Sequence, residues 1–129
     1  MTAHNVRISI LLEPVGSPDV VVSCDQQLRE LIINEPTCVD FVYSQEQGPS
    51  KLTVQHRNRQ DNTTAIIVKS VKLNGIEHIQ NTYQGIYYPI GLELRRDTYI
   101  AWEGSWILEF TVPVYTWLHK TQGLGWIYD

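Results

Sequence analysis

Apolar positions along this chain recur mostly at every second residue, the period of a strand with one buried face. Val6, Ile8, Ile10 and Leu12 alternate with Arg7, Ser9 and Leu11 and predict a first strand, which Pro14, Gly16 and Pro18 end. Asp19 to Ser23 is a short β-branched run. The apolar positions of Leu28 to Ile33 suit either a strand or one helical turn; the β-branched Ile32-Ile33 and nearby Pro36 favour a strand. Cys38, Phe41 and Tyr43 mark the next strand, and Gln45 to Ser50, with Gly48-Pro49, reads as a polar loop. Leu52, Val54 and His56 alternate with Thr53 and Gln55, before a strongly polar surface loop from Arg57 to Thr63. Ala65 to Leu73 is a long strand, and Asn74-Gly75 after it is a strong hairpin-turn signal with Ile76 to Ile79 returning.

The last third predicts a second hairpin. Thr98 to Trp102 and Ser105 to Val112 flank Glu103-Gly104, so a two-residue loop would put Ala101 opposite Trp106 and Tyr99 opposite Leu108. One face would then carry Tyr99, Ala101, Trp106, Leu108, Phe110 and Val112. After Pro113, the spacing of Val114, Trp117 and Leu118 predicts one short helix, stopped by Gly123 and Gly125. Together these elements predict an all-β fold: a β-sandwich or jelly roll of about eight or nine short antiparallel strands with one helix near the C-terminus. A small barrel is the alternative architecture.

Composition narrows the function. The 129 residues suit a single domain spanning 1–129, with 43% apolar residues and a net charge of −4. The basic residues are scattered, the densest run being Arg57-Asn58-Arg59, which argues against nucleic acid. The longest apolar runs, Val20 to Val22 and Ala65 to Val68, fall far short of the ~20 residues that span a bilayer, and the start of the chain shows no secretory signal. Cys24 and Cys38 are expected to be free, buried thiols of a chain made in a reducing cytoplasm.

Catalytic patterns are scarce. His4, His56, His78 and His119 have no metal-ligand spacing, and His56 on an inward position reads as a hydrogen-bonded core residue. Glu93, Asp97, Glu103 and Glu109 could be drawn as a glycosidase pair, but Glu93 and Asp97 flank Arg95-Arg96 as ordinary surface charges do. Asp61-Asn62 is a thin oxygen set for calcium, and Asn62-Thr63-Thr64 matches a glycosylation acceptor. No catalytic residue, metal or cofactor is expected. The informative signal is aromatic: residues 83–129 hold all four Trp, six of the seven Tyr and one of the two Phe. Trp106, Phe110 and Trp117 read as core. Tyr87, Tyr88, Trp102, Trp126 and Tyr128 are the candidates for a protein interface or a sugar-stacking platform, the interface ranking first. The 123–129 segment, with Trp126, Ile127 and Tyr128 at the chain end, either docks as a last strand or anchors on a neighbouring subunit.

Tyr99 to Phe110 followed by Pro113-Val114-Tyr115-Thr116-Trp117-Leu118 resembles the C-terminal part of small virion-type proteins of tailed phages, notably phages of aquatic cyanobacteria. Upstream, Leu52-Thr53-Val54, the loop around Asp61-Asn62-Thr63 and Val71 to Ile76 are similar in layout to β-sandwich carbohydrate-binding-like modules, with Asn74 where those modules carry Asp. The resemblance implies a non-enzymatic virion protein, a capsid decoration or cement protein or a tail or baseplate component, made in the host cytoplasm. Its partners would be other virion subunits or copies of itself. The alternative implied is a glycan-binding module for host surface polysaccharide.

Overall fold

The computed structural model describes residues 3–57, 64–77, 81–82, 84–91 and 93–121. In chain order the elements are β1 (Ala3–Val15), β2 (Asp19–Cys24), β3 (Gln27–Ile32), β4 (Thr37–Glu46), β5 (Gly48–Arg57), β6 (Ala65–Leu73), β7 (Ile76–Glu77), β8 (Ile86–Pro89), β9 (Tyr99–Ile100), β10 (Gly104–Val112) and α1 (Val114–Thr121). They form two antiparallel five-stranded sheets. The first runs β4-β1-β6-β7, with β9 also on β6, and the second runs β3-β2-β5-β10-β8. This is the sandwich that the period-two pattern predicts.

The alternation becomes burial directly. Val6, Ile8, Ile10 and Leu12 are fully buried on β1, against Val20, Val22, Leu52 and Val54 of the second sheet. On β6 the buried set changes phase, from Ile66 and Val68 to Val71 and Leu73. A bulge makes that change possible: the register passes from Leu11↔Ser70 to Leu12↔Val68, leaving Lys69 as the extra residue. Helix α1 closes one end of the core through Val114 and Leu118, and Trp117 meets Phe110 edge-on with ring centroids 6.1 Å apart.

Polar bridges join the layers. His56 on β5 is 1% exposed, and its Nδ1 donates to the Ile100 carbonyl on β9 at 3.2 Å. A carbonyl can only accept, so Nδ1 carries the proton and Nε2 is the acceptor for the Thr64 hydroxyl, also at 3.2 Å. Tyr43 on β4 shares a 2.6 Å hydrogen bond with Ser50 on β5. Strand β3 is the outer edge of the second sheet. There Arg29 lies 5.2 Å over the Phe41 ring and Glu30 pairs with Arg57.

Three elements differ from expectation. Residues 98–102 and 105–112 form no hairpin, because both sides of β10 are taken by β5 and β8. Strand β9 pairs with β6 in the opposite sheet instead. Ile100, not Tyr99, therefore faces the core, and Tyr99 is 45% exposed. The chain crosses between sheets at 101–103, where the Tyr87 hydroxyl accepts from Trp102 N–H and donates to Trp102 C=O. Gly104 completes the crossing: a Cβ there would come within 2.4 Å of the Tyr88 carbonyl oxygen. Second, the polar stretch from Gln45 to Ser50 is strand on both sides of a tight turn at Gln47. Third, β8 is an additional strand, hidden in the sequence by its four-residue length.

Trp106 is fully buried, and its ring stands where a side chain at residue 85 would go: a Cβ on Gly85 would lie 2.1 Å from it. Trp106→Ala should therefore cost about 3–5 kcal/mol in urea unfolding, as a large buried aromatic leaves a cavity that its neighbours fill incompletely. Gly85→Ala should cost about 1–3 kcal/mol by overpacking. A Trp106→Ala variant with an unshifted midpoint would contradict the placement of this ring.

Candidate functional site

Tyr87 is 1% exposed and is corrected from an interface or stacking candidate to a core residue, held by the Trp102 backbone and by Arg95, whose guanidinium lies 5.9 Å over its ring. It points inward because neighbouring strand positions alternate, so Tyr88 takes the outer face of the second sheet and is 40% exposed. Trp102 is 42% exposed on the crossing segment. Tyr88 and Trp102 belong to separate segments. Trp126, Tyr128 and the rest of 122–129 lie outside the described residues, as do Asp61-Asn62 and His78.

Cys24 is buried, and its thiol donates to the Tyr43 hydroxyl at 3.5 Å. Burial pushes the Cys24 thiol up, and burial likewise raises the Tyr43 phenol. Cys38 is corrected from buried to exposed: it sits outward on β4, 3.7 Å from an Asp40 carboxylate oxygen. Partial burial raises its thiol pKa first, and the Asp40 charge adds to the rise. Asp97 accepts the Tyr99 N–H and lines a groove of about 340 Å³ with Thr82, Arg96 and Thr98. Glu109 stands opposite Lys51 across β10 and β5.

A larger groove, of about 570 Å³, opens where the start of β1, the β6–β7 turn and the β10–α1 junction meet. His4, Asn5, Val6, Arg7, Val42, Asn74, Pro113, Val114 and Tyr115 line it. Its rim is built by the turn. Asn74 and Gly75 have φ of +52° and +81°, the two left-handed positions of a type I′ turn, which Asn-Gly adopts at little cost. Asn74 then continues the ladder past the end of β6. Its side-chain oxygen accepts Arg7 N–H at 2.7 Å, its own N–H donates to Arg7 C=O at 2.7 Å, and its amide nitrogen donates to Asn5 C=O at 3.2 Å. The Asn5 side-chain oxygen accepts the Ser44 hydroxyl at 3.1 Å. On the facing wall, α1 buries Val114 and Leu118 and so turns Tyr115 out, 55% exposed, while Val42 of β4 is 65% exposed. The groove thus combines an exposed phenol ring, a small apolar patch, two amides, an imidazole and a guanidinium. Among the described residues it holds no carboxylate.

Sequence reasoning missed this groove, since four remote segments compose it. One signal was present: the Val114, Leu118 spacing places Tyr115 off the buried stripe of the helix.

No protein-family model matches the chain, and no curated protein does. Two solved structures share its fold. One is vCBM60 in complex with galactobiose, with a TM-score of 0.52 and 14% identity over 79% of this chain and 96% of that one. The other is a selenomethionine form of vCBM60, described as linking two families of calcium-dependent carbohydrate-binding modules by circular permutation. It has a TM-score of 0.52 and 15% identity over 80% of this chain and 89% of that one. At these identities the likeness shows a carbohydrate-binding-module-like β-sandwich. No three His, Cys, Asp or Glu side chains come together among the described residues.

Two measurements check these placements. Asn74→Pro should destabilise the domain by about 3 kcal/mol or more, since it removes an N–H bond and two side-chain bonds and forbids positive φ. A thermal melt reads this directly, and an unchanged midpoint would show that the turn lies elsewhere. Thiol titration of the native protein should modify Cys38 and leave Cys24 until denaturant is added; simultaneous reaction of both would contradict the burial of Cys24.

Proposed function

We propose that this domain is a non-catalytic glycan-binding module and that the groove between β1, the Asn74-Gly75 turn and α1 is its sugar seat. The observation that carries the reading is the pairing of the exposed Tyr115 ring with a polar rim fixed by the Asn74 hydrogen bonds, in a fold shared with carbohydrate-binding modules. A pyranose has an apolar face of C–H groups and an equator of hydroxyls. An aromatic ring takes the first, and planar amide groups take the second, donating and accepting at fixed angles. The rim is ordered before any ligand arrives, because the backbone of residues 5–7 is already bonded to Asn74, so binding loses little entropy in shaping it. Among the described residues, neither groove holds the two facing carboxylates that glycoside hydrolysis uses.

The second reading is a virion accessory protein of a tailed phage, assembled with other virion subunits or with copies of itself. The exposed Tyr88 and Trp102, outside the groove, favour it as anchors of a protein contact. Mass spectrometry of purified particles tests it, and a glycan-binding domain on a virion would satisfy both readings.

Affinity electrophoresis through gels containing soluble polysaccharides tests the first reading. The wild-type domain should be retarded by at least one polysaccharide, and Tyr115→Ala should weaken that retention about tenfold with an unchanged melting temperature. Retention by no polysaccharide across a broad panel would overturn the glycan reading.

A further inference from the structure

We infer that the groove selects a sugar carrying a carboxylate, a uronic acid residue, with Arg7 as its counter-ion. The inference rests on the glycan-binding reading and adds the class of sugar. Its starting point is a charge distribution that runs against the rest of the molecule. The chain has 14 acidic and 10 basic residues, yet among the described residues no Asp or Glu lines the groove, while Arg7 and His4 do.

The other described cations near an acid or a ring are accounted for within the fold. Arg57 pairs with Asp19 at 2.9 Å and with Glu30, and Lys69 pairs with Glu13 at 3.4 Å. Arg29 and Arg95 lie over Phe41 and Tyr87. Arg7 is exposed and forms no ion pair among the described residues. Its cross-strand neighbour on the same face is Val42 rather than an acid. The nearest acid along β4 is Asp40, which stands opposite Ser9 and accepts the Ser9 hydroxyl. Arg7 therefore presents a guanidinium to the groove with its charge uncompensated by the described residues.

Geometry makes that charge useful. Both backbone groups of Arg7 are bonded to Asn74, so the root of the side chain is fixed at the groove rim. A guanidinium offers parallel N–H donors that match the two oxygens of a carboxylate, and such bidentate pairs are short and strong. The Asn5 oxygen is engaged by Ser44, which leaves the amide N–H donors of Asn5 beside it. The Tyr115 ring across the groove takes the sugar face. A neutral sugar would use the ring and the amides alone; a uronate adds the ion pair and meets no acid among the described residues that would repel it.

Calorimetric titration of the full chain tests this with oligosaccharides of galacturonate, mannuronate and glucuronate, each beside its carboxyl-reduced neutral counterpart, and with a sulfated galactan oligomer. At least one uronate should bind about tenfold or more tighter than its neutral counterpart. Arg7→Gln should remove that difference and leave neutral binding within about twofold, with an unchanged melting temperature because the side chain is exposed. Arg7→Lys should keep part of the preference, as the charge stays and the fork is lost. Tyr115→Ala should weaken acidic and neutral sugars alike. Equal affinity for each acidic and neutral pair, or a preference that survives Arg7→Gln, would overturn the inference and leave the glycan reading standing. Tightest binding to the sulfated oligomer would overturn the carboxylate assignment. Binding to no oligosaccharide of either charge would overturn the glycan reading, and this inference with it.

Discussion

The arrangement of both sheets depends on how the chain passes from Ile100 to Gly104. Within five residues it leaves the first sheet and enters the middle of the second, which exposes backbone polar groups that no ladder can satisfy. Four side-chain and backbone hydrogen bonds solve this. His56 takes the Ile100 carbonyl, the Tyr87 hydroxyl meets both polar groups of Trp102, and Ile90 N–H meets the Glu103 carbonyl. With the crossing secured, β10 runs between β5 and β8 and delivers Trp106, Leu108, Phe110 and Val112 to the core. It ends beside β1, which is why α1 and Tyr115 arrive at the groove.

Much of this was legible in local pattern. The alternation on β1, β5 and β10 named the buried residues because one face of each strand meets the other sheet. Asn74-Gly75 announced its turn because few other pairs adopt two left-handed conformations in succession. The Val114, Leu118 spacing announced α1. What failed was pairing. The Glu103-Gly104 segment looked like a hairpin because nothing local reveals that both sides of β10 are already occupied. Tyr87 and Tyr88 had equal claims to exposure until the direction of β8 set one inward and the other outward.

The site was less legible than the fold. A groove made by residues 4–7, 42, 74 and 113–115 is a product of strand order, and a linear reading sees only an ordinary Arg, an ordinary Asn and a Tyr beside a Pro. The roles of Asn74 show why. As a turn residue it is recognised by its neighbour Gly75, but its side chain also holds Arg7 and Asn5 in place, 67 and 69 residues away. Turn formation and rim geometry are therefore one event, and the groove forms only when the sandwich has closed.

The outer edge strand β3 carries a consequence for crowding. Two copies joining edge to edge into one continuous sheet must place residues of the same face opposite one another, and the two-fold relation then makes certain residues meet themselves. In the two registers that overlap β3 most fully, the self-opposed residue is Arg29 or Glu30. Either way like charges stand face to face across a ladder, which is destabilising. The exposed Leu28 and Ile32 on the same strand would otherwise invite that union. Many copies can thus stand close together on a shared support, each groove open, without fusing through this edge into a fibre.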